Sequence, residues 1–258
     1  MTEPSWIWRV PLAPMTRESA TEAVMNLIQQ RKPSYFITAN VHYAMLTDHH
    51  RDLEAINRGA AFILADGAPL VWASRFRSVR LPERVAGSDL IYDLAEKAAE
   101  RGHSIYLLGA APGIADAAAQ KLLDRYPGLR VAGTACPEPE DLVGAGCEAL
   151  IARIRAAQPD LLLVALGQPK GERWIAEHCE ALGVPACVQI GATLDFIAGR
   201  MKRSPRFYQK IGMEWAYRMC QEPKRLFPRY ARNTLFIGKS VLRDLTGRRV
   251  QGPAGTPS

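Results

Sequence analysis

Short apolar runs alternate along this chain with stretches whose apolar positions recur every three or four residues. The first pattern predicts buried strands and the second amphipathic helices. SYFITAN (34–40) reads as a strand, and VHYAMLTDHHRDLEAINRG follows as one helical pattern that Gly59 closes. AFILAD (61–66) is a second strand, ahead of a helix in GAPLVWASRFRS. SDLIYDLAEKAAERG (88–102) is amphipathic, with Ser88 as N-cap and Gly102 just past its end. HSIYLLGA (103–110) and LRVAGTAC frame a helix in APGIADAAAQKLLDRYPG. CEALIARIRAAQPD (147–160) is a helix that stops before LLLVALG (161–167), a nearly all-apolar run of the parallel-strand kind. KGERWIAEHCEALG and VPACVQIGA (184–192) supply a further helix and strand.

Alternation with short connections predicts an α/β domain, a parallel sheet flanked by helices. Such sheets bind ligands beyond the C-terminal ends of their strands. The polar and glycine residues of this chain fall at those ends: Thr38 to Asn40, Asp66 and Gly67, Gly109, Gly167 to Pro169, and Gly191 with Ala192.

After Gly199 basic residues interleave with aromatic and aliphatic ones, and Pro205, Pro223 and Pro228 predict a cut into short helical pieces. The expected organisation is an α/β domain over 1–199, a basic amphipathic appendage over 200–246, and a disordered tail over 247–258. Charge follows the same division. The chain carries +7 overall, but residues 200–249 hold 14 Lys and Arg against 3 Asp and Glu, while the first 199 residues hold 19 against 23. That asymmetry implies an anionic partner: nucleic acid, phosphate groups or an anionic membrane surface. There is no basic-then-apolar signal at the N-terminus and no apolar run of membrane-spanning length. The chain is therefore expected to be soluble and cytoplasmic in its bulk. The five cysteines form no CxxC pair and the five histidines no HExxH, which predicts reduced structural thiols, no protein-bound metal and no cofactor. His49 and His50 read as a solvated helix end, and PEPED (137–141) as a surface loop.

Five groups of residues carry candidate chemistry, each with a plainer alternative. Asp66 is either a turn residue, as Asp–Gly pairs commonly are, or a carboxylate where substrate chemistry happens. Thr38 and Asn40, two apart on one strand face, are ligand contacts or an N-cap. In LLGAAPG (107–113), Gly109 either lets backbone N–H groups approach a phosphate or only makes a tight turn; the spacing is not GxGxxG. In ALGQPKGERW (165–174), Gln168, Lys170 and Glu172 hold a polar ligand or simply start a helix behind a proline. Gly191 closes the last strand in the same way. Arg218, Arg225 and Arg229 clamp a diphosphate or form a solvated basic face.

Taken together, several motifs resemble one family in its own order. These are TAN (38–40), ADGAP (65–69), RVAGSDL (84–90), LLGA (107–110), PDLLLVALGQPKGERWI (159–175), IGATLDFIAGRMKRSP (190–205) and the EWAYRMCQEPKRLFPRY run. They look like the WecG/TagA/CpsF family, bacterial glycosyltransferases of family 26, over roughly residues 10–240. The resemblance implies a Rossmann-like fold and metal-independent, inverting transfer of a sugar from a UDP-sugar donor to a polyprenyl-diphosphate-linked saccharide acceptor. The donor sugars such enzymes use include N-acetylmannosamine, its uronic acid and glucose. It further implies that the C-terminal appendage brings the enzyme to the inner face of the cytoplasmic membrane and completes the active site. Asp66 matches the general base, Thr38 and Asn40 polar residues of the same pocket, and Arg84 the basic position before GSDL. Arg218 and Arg225 match appendage arginines that meet the nucleotide diphosphate. Two departures stand out. Gly171 occupies a position where the family usually has Gln, with Gln168 three residues earlier. A third appendage arginine is replaced by Pro228, with Arg229 beside it.

Expected partners are thus the donor, the lipid-linked acceptor and an anionic membrane, with a homo-oligomer left open and no nucleic acid. Two alternatives stand beside this reading. One is a nucleotide-sugar-binding regulator without turnover. The other is a nucleic-acid binder acting through the basic region, which carries no recognised DNA- or RNA-reading motif.

Overall fold

The computed structural model describes residues 3–202, 204, 205, 208 and 214–246, apart from the side chains of Arg218 and Arg225. An antiparallel hairpin, β1 (Ser5–Ile7) and β2 (Val10–Leu12), precedes α1 (Arg17–Gln30) and β3 (Tyr35–Ala39). The chain continues through α2 (Val41–His49), α3 (Asp52–Gly59), β4 (Ile63–Ala65), α4 (Ala68–Ser74), α5 (Gly87–Arg101) and β5 (Ser104–Gly109). Next come α6 (Ile114–Arg125), β6 (Arg130–Ala135), α7 (Gly144–Ala157), β7 (Leu161–Ala165), α8 (Lys170–Leu182), β8 (Ala186–Gln189) and α9 (Thr193–Ala198). The C-terminal region forms α10 (Glu214–Gln221) and α11 (Pro223–Leu245).

The six strands β3 to β8 pair in parallel in the order β4-β3-β8-β7-β5-β6. Successive strand residues point to opposite faces, and both faces are covered. Ile37, Tyr106 and Val164 join one core with Trp174 and Ile175 of α8, while Phe36, Leu107 and Leu163 join another with Leu94 of α5 and Leu122 of α6. Two covered faces explain why the strands are almost wholly apolar rather than alternating. Helices α2, α7 and α8 lie over the first face, and α1, α5, α6 and α9 over the second. The connections that leave neighbouring strands β5 and β7 therefore go to opposite faces, and so do α2 after β3 and α5 after β4, with α4 between β4 and α5 placing Leu70 in the first core. Crevices open above the strand ends at such switch points, and the candidate site lies at one of them.

Three local expectations are corrected. The helical pattern over 41–59 is broken at His50, whose backbone is extended at φ −124°, ψ 105°. The bend turns α3 so that Leu53 is buried and Asn57 Oδ1 accepts the Tyr43 hydroxyl at 2.8 Å. Helix α5 starts at Gly87 behind Ala86, not behind a Ser88 cap. PEPED stays on the surface as expected, closed by a short 3-10 turn, Pro139–Leu142. Pro228 does not cut the appendage: α11 runs unbroken for 23 residues. Pro223 sits at its first position, where no N–H partner is lost, and Pro228 is exposed, so water can reach the carbonyl it leaves unpaired. The expected tail at 247–258 lies outside the described residues.

Helix α11 lies against α2 and the hairpin. Phe236 is buried and meets the Trp8 ring edge-on at 5.5 Å, a contact worth about 0.5–1.5 kcal/mol beyond the apolar area it buries. Ion pairs bolt its C-terminal end down, Arg243 to Asp48 at 3.3 Å and Asp244 to Arg77 at 2.6 Å.

Candidate functional site

Asp66 follows β4 directly, and its N–H donates to the carbonyl of Ala39 at 2.8 Å. This bond continues the β3–β4 ladder by one residue and fixes where the side chain leaves the sheet. The carboxylate accepts a hydrogen bond from the N–H of Gly87, the first residue of the 15-residue α5. That N–H has no partner inside its helix, and a helix N-terminus favours negative charge. Asp66 thus does the capping that Ser88 was expected to do. Gly87 lies close to both residues: a Cβ there would stand 3.4 Å from Thr38 Oγ1 and 3.8 Å from Asp66 Oδ2, ordinary contact distances.

Three charges surround this carboxylate. Burial pushes Asp66 up to about 7, and the Arg84 guanidinium draws it back down. Glu214 and Asp89 push it up again by repulsion. Arg84 itself lies 3.4 Å from Glu214 and 3.9 Å from Asp89. A carboxyl group titrating near neutrality at a strand mouth can accept a proton from a hydroxyl at ordinary pH.

On the other side of β3 lies a hydrogen-bonded polar chain. Asn40 is the N-cap of α2, its Oδ1 accepting from the N–H of Tyr43 at 3.1 Å, while its Nδ2 donates to Gln168 Oε1 at 3.0 Å. Gln168 Nε2 donates to Glu172 Oε1 at 3.0 Å and to the carbonyl of Thr38 at 3.3 Å. Burial pushes Glu172 up to about 7, against the hydrogen bond from Gln168 and the charges of Arg173 and Arg229. Its second oxygen, Oε2, is buried without a partner among the described residues. Thr38 and Asn40 do not share a face as the strand spacing predicts. Asn40 leaves the strand to cap α2 and meets Gln168, while Thr38 lies beside Gly87 and its hydroxyl donates to the carbonyl of Gln189 at 3.3 Å.

Asp66, Arg84, Thr38, Asn40, Gln168 and Glu172 therefore converge on the ends of β3, β4 and β7. Arg229 joins them from α11, its charge acting on both Glu172 and His42. Lys170 is exposed in the first turn of α8, and Gly191 turns the chain out of β8 at φ +59°. Gly109 has a backbone role, since at φ +101° a Cβ would lie 2.7 Å from the carbonyl oxygen of Ala165. These three belong to neighbouring strand ends rather than to the hydrogen-bonded chain. The side chains of Arg218 and Arg225 lie outside the described residues. Gly171 is packed against Gln189: a Cβ at 171 would come 2.6 Å from Gln189 Cδ and 2.7 Å from its Oε1. Gln189 is itself buried, with Oε1 accepting from the N–H of Leu166 at 3.3 Å.

Sequence reasoning missed Glu214, Asp89, Gly87 and Gln189. Glu214 carried a signal, being one of only 3 acids in the basic stretch 200–249. Gln189 carried one as well, a polar residue ending the apolar run ACV. Among the described residues no group of three or more His, Cys, Asp and Glu side chains is placed to hold a metal ion.

The sequence model of the glycosyl transferase WecG/TagA/CpsF family matches residues 5–251. A Staphylococcus aureus (strain MW2) protein named N-acetylglucosaminyldiphosphoundecaprenol N-acetyl-beta-D-mannosaminyltransferase is 32% identical over 195 residues, 74% of each chain. A Bacillus spizizenii protein of the same name is 29% identical over 198 residues, covering 77% of this chain and 75% of its own.

Proposed function

The chain belongs to the WecG/TagA/CpsF family and is a glycosyltransferase, and from that premise we propose the reaction it catalyses. It moves N-acetylmannosamine from a UDP-sugar to the N-acetylglucosamine of a polyprenyl-diphosphate-linked acceptor, with inversion and without a metal ion. The names of the relatives support the sugar and the acceptor. The observation that carries the mechanism is Asp66, a carboxyl pushed up to about 7 at the end of β4.

In this reading Asp66 takes the proton of the acceptor hydroxyl as its oxygen attacks the anomeric carbon. The bond from that carbon to the diphosphate oxygen breaks on the opposite face, and UDP leaves with the electron pair. Arg229, with Arg218 and Arg225 of the appendage, offsets the charge that collects on the diphosphate. Thr38, Asn40 and Gln168 position the sugars, with Glu172 fixing Gln168. Residues 1–199 act as the catalytic body and 200–246 as the appendage that completes it.

No described helix is long and apolar enough to cross a membrane. Helix α11 instead presents Phe227, Leu235, Leu242 and Leu245 outward, flanked by Lys224, Arg232 and Lys239. That pattern supports a helix lying in the surface of an anionic bilayer, and in this reading the enzyme works on the inner face of the cytoplasmic membrane, where lipid-linked acceptors are held.

The test is UDP release across a panel of UDP-sugars, with and without polyprenyl-diphosphate-linked N-acetylglucosamine. Acceptor-dependent release with UDP-N-acetylmannosamine is expected, and Asp66→Asn should slow it about 10²–10⁴-fold without loss of folding. Release from no donor on adding acceptor would overturn the reading.

A further inference from the structure

Helix α4 begins two residues after Asp66 and leads into an unusual stretch of surface. Trp72 is 50% exposed and Phe76 is 76% exposed. The stretch from 68 to 82 holds Arg75, Arg77 and Arg80 and no acidic residue, and Arg75 and Arg80 are exposed. Large aromatic side chains beside arginines, with no acid among them, are what an interface between water and anionic lipid favours.

This surface is held in place. Ser74 Oγ donates to the carbonyl of Val71 at 2.7 Å and accepts from the N–H of Leu81 at 3.0 Å, closing the segment between them into a loop. Ser5 Oγ donates to the carbonyl of Val79 at 2.6 Å. Arg77 Nε donates to the carbonyl of Trp6 at 3.1 Å, and its Nη2 pairs with Asp244 at 2.6 Å. That pair joins the loop to the last turn of α11, where Leu242 and Leu245 are 63% and 79% exposed. Phe76 and Leu245 are thus the direct chain neighbours of two ion-paired residues, which brings the loop and the end of α11 together.

We propose that Trp72 and Phe76, with Arg75 and Arg80, are a second membrane-contact element, carried by the catalytic body and seated on an anionic bilayer beside α11. It rests on the reading that the enzyme works on a lipid-linked acceptor, and it adds an orientation to it. Two contacts that do not lie on one helix fix how the body sits on the bilayer, and one of them is the helix that begins two residues after Asp66. A single amphipathic helix would leave the body free to roll about its axis.

The experiment is co-sedimentation of the full chain with vesicles of phosphatidylglycerol and phosphatidylcholine, without donor or acceptor. Trp72→Ser/Phe76→Ser should lower the partition coefficient about tenfold or more, and Arg75→Gln/Arg80→Gln should erode the preference over pure phosphatidylcholine vesicles. Brominated lipids give a second readout that needs no disruptive variant: they should quench wild-type tryptophan emission more than that of Trp72→Phe. Wild-type binding by both double variants, with equal quenching in Trp72→Phe, overturns this proposal and leaves the transferase reading standing. Failure of the wild-type chain to bind any vesicle overturns this proposal together with the membrane part of that reading, and UDP release with a short-chain water-soluble acceptor still tests the transfer itself.

Discussion

Glu214 and Arg84 meet at 3.4 Å across 130 positions of sequence, and both charges act on the carboxyl group of Asp66. The C-terminal region therefore reaches the acid at the mouth of β4 through a charge, and that charge opposes the arginine beside it.

Opposed charges predict opposed shifts in the pH profile. A base that titrates near 7 makes kcat/KM rise with pH and level off above it. Removing the repulsion in Glu214→Gln should move the rising limb to lower pH. Removing the attraction in Arg84→Gln should move it to higher pH, in addition to any loss in rate. Profiles of acceptor-dependent UDP release for the three proteins check this, and limbs that coincide would detach both residues from Asp66.

Stability should move against the usual carboxylate direction. Asp66 and Glu172 both have folded-state values near 7, above the ordinary values of 3.8 and 4.5. Between those limits the folded chain holds more protons than the unfolded one, so stability falls as pH rises through the window and is flat above it. Glu172→Gln keeps an acceptor for Gln168 and removes the buried charge. It should stabilise the protein at pH 8, by up to about 3 kcal/mol, and make little difference at pH 4. Thermal or urea melts at the two pH values read this directly.

His42 predicts a second pH effect with the other sign. Burial lowers it to about 4, with Arg229 adding to the shift and a hydrogen bond to Asn233 opposing it. The folded chain keeps this imidazole neutral where the unfolded chain would protonate it, so stability is lost as pH falls from about 6.5 to 4. The groups involved lie on α2 and α11, and protonation places a third cation beside Arg229 and Arg232. His42→Gln should flatten that part of the pH–stability curve. An unchanged slope would remove His42 from the contact.

Gly171 and Gln189 should behave as a coupled pair. A side chain at 171 collides with the Gln189 amide at 2.6 Å, so Gly171→Gln alone should destabilise by roughly 1–3 kcal/mol. Gln189→Ala vacates that space, and the double variant should recover part of the loss. A non-additivity of at least about 0.5 kcal/mol in the cycle is expected. Donor preference in the double variant then reports whether an amide from position 171 changes the sugar that is used.

The sequence by itself determined the elements, and through them the sheet. All-apolar runs such as LLLVA and amphipathic runs such as LIYDLAEKAAER are local patterns, read by period alone, and their alternation left a parallel sheet with covered faces as the consistent outcome. It also put Asp66, Gln168 and Thr38 at strand ends, because a ligand-binding end of a parallel strand is a property of position in the chain. What it did not determine was the bend at His50, the unbroken α11, the cap on α5 by Asp66, or the fit of Gly171 to Gln189. Each of these is decided by a partner distant in sequence or by space left by packing. The charge around Asp66 is the clearest case. Its environment comes from residues 84, 87, 89 and 214, and desolvation and Coulomb forces act through distance in space, to which a pattern along the chain is blind.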